Sequence, residues 1–288
     1  MRRILLLAAL PLSFAAVACG TDGRVPTSAD DPARSGTLQR LLGGSDEKLS
    51  TQDLAHGLTP TYLASVLSGS GIEVSNVSYS GAERAAGMFS GGSDIIGFES
   101  GIVLGTGRIA NVKGPNTVVD ATTENGTAGD SLLDLLSGIG NPTEDAAILS
   151  FDFVPDGSVV TFEYVFASEE YNDYVNTGYN DVFAFYVNGR NCALVGAPAV
   201  PVSINTINNG NPFGIPPVSN PELYRNNDID DGGSTIDTEM DGLTTVLTCT
   251  ARVEPGVKNT MRLAIADAGD PAYDSNVFLR AGSLEVSY

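Results

Sequence analysis

The run Ala147-Ile-Leu-Ser-Phe-Asp-Phe-Val-Pro-Asp-Gly-Ser-Val-Val-Thr-Phe-Glu-Tyr-Val-Phe-Ala167 carries the clearest structural signal in the chain. Ala147, Leu149, Phe151 and Phe153 alternate up to a turn at Pro155-Asp156-Gly157, and Val160, Phe162, Tyr164 and Phe166 alternate beyond it. Large apolar residues at every second position on both sides of a turn describe two antiparallel strands sharing a buried face. Working outward, Phe183, Phe185 and Val187 repeat the pattern and end at Asn188-Gly189, a hairpin dipeptide. Ile72, Val74 and Val77 mark an earlier strand, and Ile95–Gly107 reads as a glycine-punctuated pair of short strands. Leu243 to Ala251 reads as one long strand, Met261, Leu263 and Ile265 as another, and 277–279 and 284–286 close the chain. One clear helix is expected: Thr59 caps it, Pro60 starts it, Leu63, Val66 and Leu67 share a face, and Gly69 and Gly71 end it. The pattern predicts an all-β, antiparallel β-sandwich, jelly-roll-like, with one or two short helices. The stretch 205–234, rich in Asn, Gly and Pro, is expected to be a long, nearly strandless loop.

Composition narrows the class of partner. Across 288 residues, 15 Lys and Arg face 35 Asp and Glu, a net charge of −20. That charge opposes binding to a phosphate backbone, so no nucleic-acid partner is expected. With 42% hydrophobic residues the chain can bury a core.

The first residues set the compartment. Arg2 and Arg3 precede an apolar run from Ile4 to Val17, and Ala16-Val17-Ala18 leads into Cys19. This is a secretory signal, too short to span a bilayer. Small residues ahead of a Cys resemble the lipobox of bacterial lipoproteins, which implies cleavage after residue 18 and lipid (diacylglycerol and palmitate) on Cys19; the alternative is an ordinary signal peptide in which this Cys is incidental. The membrane is then reached through the lipid anchor. Gly20 rather than Asp after Cys19 favours, by the same resemblance, an outer membrane or cell-surface location. Residues 19–51 read as a polar tether with a span of roughly 30 Å, and 52–288 as the folded domain. The remaining Cys192 and Cys249 are expected to form a disulfide in an oxidising compartment, the alternative being two buried thiols.

The polar residues gather in two places. Ser168-Glu169-Glu170-Tyr171-Asn172-Asp173 follows one strand, with Asn180-Asp181 opening the next; Asp267, Asp270, Asp274 and Ser275 lie between two later strands. If these strand ends are neighbours, Glu169, Glu170, Asn180, Asp181, Asp267, Asp270, Asp274 and Ser275 form an oxygen-rich set suited to Ca2+, which takes six to eight oxygen ligands in loose geometry. Otherwise they are solvated acids and Asx turns. Asn226-Asn227-Asp228-Ile229-Asp230-Asp231-Gly232 places its Gly wrongly for an EF-hand and reads as a polar turn. Catalytic patterns are missing: His56 is the only His and lies beside a helix, and there is no G-x-S-x-G, H-E-x-x-H or P-loop. No catalytic residue is assigned. Glu169 with Asp274 is the pair a glycoside hydrolase would need, with Tyr171, Tyr174 and Tyr179 as stacking surfaces in a chain without Trp.

The segments Phe162-Glu-Tyr-Val-Phe-Ala-Ser-Glu-Glu-Tyr171, Asn180-Asp-Val-Phe-Ala-Phe-Tyr-Val-Asn-Gly189, Ala264-Ile-Ala-Asp-Ala-Gly-Asp270 and Tyr273-Asp-Ser-Asn-Val-Phe278 resemble the bacterial choice-of-anchor L domain. Leu58-Thr-Pro60, Gly71-Ile-Glu-Val-Ser-Asn-Val77, Thr235-Ile-Asp237 and Asp241-Gly-Leu-Thr244 are similar to it too. The resemblance implies an exported surface domain with no established catalysis. Its members carry varied C-terminal anchoring signals; this chain reads as a strand to Tyr288, so its anchor is expected at Cys19. The expected role is binding or adhesion to a glycan, a matrix polymer or an envelope protein. A polysaccharide hydrolase and a purely structural envelope component are the alternatives.

Overall fold

The computed structural model describes residues 48–69, 72–212 and 218–288. The signal segment, Cys19 and most of the tether lie outside the described residues. The strands are β1 Ser50–Asp53, β2 Glu73–Ser80, β3 Ala86–Ser90, β4 Ser100–Gly105, β5 Glu144–Val154, β6 Val159–Ser168, β7 Val182–Val187, β8 Arg190–Asn191, β9 Leu194–Val195, β10 Val200–Pro201, β11 Tyr224–Asn226, β12 Gly242–Thr244, β13 Leu247–Arg252, β14 Asn259–Asp267, β15 Ser275–Arg280 and β16 Glu285–Ser287. The helices are α1 Pro60–Leu67 and α2 Ser131–Ser137.

Two antiparallel sheets face each other. One runs β1-β3-β4-β15-β6-β12-β11, with β13 and β16 also paired to β6; the other runs β2-β5-β14-β7-β8. The alternation in the 147–167 run becomes their common core. Phe162, Tyr164 and Phe166 of β6 meet Phe183 and Phe185 of β7, with ring centroids 4.9–5.5 Å apart. Such aromatic pairs add to the burial energy of the rings themselves. Past Tyr164, β6 is buried on both faces, because Val165 and Ala167 enter a second apolar layer with Phe89, Ile96, Phe98, Ile109 and Phe278. The Cys192–Cys249 disulfide ties the segment after β8 to β13 and so joins the two sheets.

Several expectations need correction. Leu243–Ala251 is two strands rather than one: at the break, the Thr244 hydroxyl accepts the Phe166 N–H at 3.1 Å in place of a strand carbonyl. Ile95–Gly107 holds only β4; Ile95, Ile96 and Phe98 form an apolar turn that covers the outer face of the larger sheet. The 205–234 stretch contains β11, paired to β12. Helix α1 has the expected start, with Thr59 accepting the Tyr62 N–H at 3.2 Å, but it ends at Ser68, whose hydroxyl bonds the Ala64 carbonyl before Gly69 is reached. The odd spacing of Val74 and Val77 has a cause: β2 carries a bulge between Ser75 and Ser78, with Asn76 in the left-handed region.

Candidate functional site

The two acidic segments meet. Ser168, the last residue of β6, pairs with Ser275 of β15 on one side and Gly242 of β12 on the other. Glu169 therefore sits beside Asp274, its N–H bonding the Asp274 carbonyl at 3.1 Å. On the facing sheet, Ala266 of β14 pairs with Val182 of β7, which brings Asp267 next to Asp181. The result is one rim built from four strand ends.

These carboxyls are inside the protein. Glu169, Glu170, Asp181, Asp241, Asp267 and Asp274 are each no more than 2% exposed. None takes part in the ion pairs formed among the described residues. Other buried acids nearby are fully used as fasteners for the 113–130 segment. Asp145 accepts the Asn125 and Thr127 N–H groups at 2.7 and 2.6 Å, and Glu239 accepts those of Thr117 and Val118 at 3.0 and 2.9 Å. Asp274 accepts the Thr123 N–H at 2.9 Å. Its carboxylate lies against Gly107, where any Cβ would overlap it, so the Gly105-Thr106-Gly107 run at the end of β4 is what makes room.

Two other rim acids, Glu169 and Asp267, lack such well-formed partners, and Asp181 keeps one, its Oδ1 accepting the Ala268 N–H at 2.8 Å. Both oxygens of Glu169, both of Asp267 and Oδ2 of Asp181 are buried without a well-formed hydrogen bond, as are Ser275 Oγ and Asn276 Oδ1. Buried polar atoms are normally satisfied, and orphaned charges are costly. Burial pushes the Glu169 carboxyl well up, helped by the Asp241 and Glu239 charges; the Ala121 N–H only partly offsets this. Burial likewise raises Asp267, with Asp181 adding to it. Asp241 is pushed up to about 8 by burial, against a hydrogen bond from Asn116, and Asp274 to about 6 by burial, against the Thr123 N–H.

The other sequence candidates fall differently. Glu170 is buried and raised by burial and by the Asp181 charge. Asn180 is buried but spent: its amide bonds the Ser137 carbonyl at 3.1 Å and the Asn205 N–H at 3.3 Å. Asp270 is half-buried and accepts the Ala272 N–H at 3.1 Å in an Asx turn. Asn226–Gly232 is a polar turn built on Asn226 and Asp228 side chains. Among the described residues no three His, Cys, Asp or Glu side chains are drawn together closely enough to hold a metal as they stand. Tyr171 is a core residue at 1% exposure, not a stacking surface, and the half-buried Tyr174 packs on Tyr179 and Tyr273. His56 bonds Asp53 at 2.5 Å, far from this rim in the β1 corner. Asp241 and Glu239 lie outside the sequence candidates: Asp241 opens the Asp241-Gly-Leu-Thr244 motif, and no pattern in the sequence marks Glu239.

The same motifs decide the family. The profile described as choice-of-anchor L domain matches residues 51–285. The chain belongs to the choice-of-anchor L family. No curated protein and no solved structure matches it. A choice-of-anchor L domain marks an exported, surface-associated protein, and here its motifs 162–171, 180–189, 264–270 and 273–278 are the segments that build the rim.

Proposed function

We propose that this choice-of-anchor L domain is held to the bacterial envelope by a lipid on Cys19, with a binding or adhesion role toward a glycan, matrix polymer or envelope protein, and that Ca2+ closes its acidic rim. The supporting observation is the set of buried, unpartnered oxygens on Glu169, Asp181, Asp267 and Ser275. All are hard oxygen donors, the chemistry Ca2+ takes, and a divalent cation supplies the positive charge that the rim lacks. Carboxyls this close disfavour one another's ionisation, and a bound cation would reverse that. Glu170 and Asp274 flank the set; Asn180 and Asp270 contribute less, being committed to local hydrogen bonds.

We propose no catalytic role. Hydrolysis needs two carboxyls open to a sugar, whereas Glu169 and Asp274 are each 1% exposed. Neither the surface cavity beside Tyr186 nor the one beside Arg280 includes a rim acid.

Thermal melting in calcium against melting in chelator tests the rim. At about a hundredfold excess over Kd, calcium should stabilise the domain by about 2.7 kcal/mol, and an unmoved melting temperature would overturn the assignment. Labelled palmitate should appear on the wild type and vanish from Cys19→Ala; label retained by the variant would remove the lipid anchor.

A further inference from the structure

The outer face of the smaller sheet carries a groove unrelated to the rim. In the ladder, Arg262 of β14 stands opposite Ser150 of β5 on one side and Tyr186 of β7 on the other, and Thr260 stands opposite Asp152. Residues two apart on a strand share a face, so Tyr186, Arg262 and Ser150 form one row across three strands, with Thr260 and Asp152 in the next. The β2 bulge turns Asn76 in toward Asp152, whose carboxylate it bonds at 2.6 Å. Leu132 of α2, 43% exposed, walls the groove, and the Tyr186 hydroxyl bonds its carbonyl at 3.4 Å. The cavity so formed has a volume of about 280 Å3 and is open to solvent.

Its chemistry is mixed in a particular way. The Arg262 guanidinium lies 5.9 Å from the centre of the Tyr186 ring and pairs through Nη2 with Asp130 at 2.5 Å, while Nη1 is buried without any acceptor. Nη1 lies beneath the groove surface, so the polar groups the groove offers a ligand are the side chains of Asp152, Ser150 and Thr260. Asp152, Ser150 and Thr260 add acceptors and hydroxyls around the apolar surface of Tyr186 and Leu132. The cations are already neutralised, Arg262 by Asp130 and Lys258 by Asp152 at 3.1 Å. On a chain of net charge −20 the groove has no excess positive charge to offer an anion.

We infer that this groove binds a neutral saccharide, one ring face resting on Tyr186 and Leu132 and hydroxyls meeting Asp152, Ser150 and Thr260. The inference rests on the surface-binding reading above and names its ligand class and its place.

Titration calorimetry of the full chain against neutral gluco-, manno-, galacto- and N-acetylglucosamine oligosaccharides, with uronate oligosaccharides alongside, tests it. At least one neutral oligosaccharide should bind saturably. Tyr186→Ala should weaken it about tenfold or more, the loss of one aromatic contact, and Tyr186→Phe should keep most of the affinity. Ser150→Tyr, which fills the groove, should abolish binding even if Tyr186→Ala folds poorly. Silence across the neutral panel, binding of uronates alone, or affinity that survives both Tyr186→Ala and Ser150→Tyr would each overturn the inference. Calcium melting of the same samples reports on the rim alone, so a silent panel with an intact calcium shift removes the groove and leaves the rim, whereas loss of the shift removes the rim whatever the panel shows.

Discussion

Asp145 and Asp267 are equally buried, at 1% exposure, and differ in what surrounds them. Asp145 receives two backbone N–H groups; Asp267 receives none and faces Asp181. Their substitutions should therefore have opposite signs. Asp145→Ala strands two half-buried donors and should destabilise by about 1–3 kcal/mol in urea unfolding. Asp267→Asn removes the cost of burying or protonating this carboxyl, so it should stabilise the calcium-free protein by on the order of 1 kcal/mol and erase the calcium response. If Asp267→Asn destabilises the chelated protein as much as Asp145→Ala does, the charge is not unpaired. The pH dependence follows from the same groups. Asp241 and Asp274 are raised from 3.8 to about 8 and about 6, so the folded state holds protons that the unfolded chain releases. That stability is complete below about pH 4 and is lost as pH rises through the folded values. Chelated protein should therefore lose stability between about pH 4 and pH 8 in denaturant titrations, and calcium should flatten the decline; a rise over that window would contradict these shifts.

At the scale of elements, the parts legible in the sequence are those whose large apolar residues alternate, even where, as in β7 and the end of β6, smaller residues bury the other face too. The alternation in β5, β6 and β7 gave their facing sides directly, and Asn188-Gly189 marked a hairpin whose two residues take the left-handed region, at φ 49° and 77°. Legibility failed where tertiary contacts set the pattern. The split between β12 and β13 depends on a hydroxyl of Thr244 reaching β6, and the 95–98 turn is apolar only because it roofs a sheet. The meeting of the two acidic segments was legible as a possibility of strand-end geometry; which acids are fastened by loop N–H groups was not, because the donors at Thr117, Thr123, Asn125 and Thr127 come from an irregular segment with no period to read. The groove was invisible for a related reason: its residues come from four strands and a helix, each unremarkable alone. Gly107 shows how an element end serves the rim. Gly107→Ala should push the Asp274 carboxylate off its Thr123 donor and cost about 1–3 kcal/mol, read as a lower melting temperature with earlier proteolysis in the 113–130 segment; unchanged melting would show that the carboxylate has room to move.

Across the whole molecule, two sheets pack face to face and a single covalent bond also joins them. The Cys192–Cys249 bridge closes a loop with a sequence separation of 57 residues. Its reduction should cost about 4 kcal/mol by the chain-entropy account, seen as a lower melting temperature in reductant; equal melting with and without reductant would mean that packing alone holds the sheets. The disulfide acts beside β13 and the proposed cation would act at the opposite run of strand ends, so the two effects should add. The central claim is that buried carboxylates without partners await calcium. Equilibrium dialysis of the full chain against radiolabelled calcium at neutral pH addresses it most directly. Saturable binding that disappears in the Asp181→Asn, Asp267→Asn double variant is the predicted result; no binding at millimolar calcium, or binding that the double variant retains in full, would contradict it.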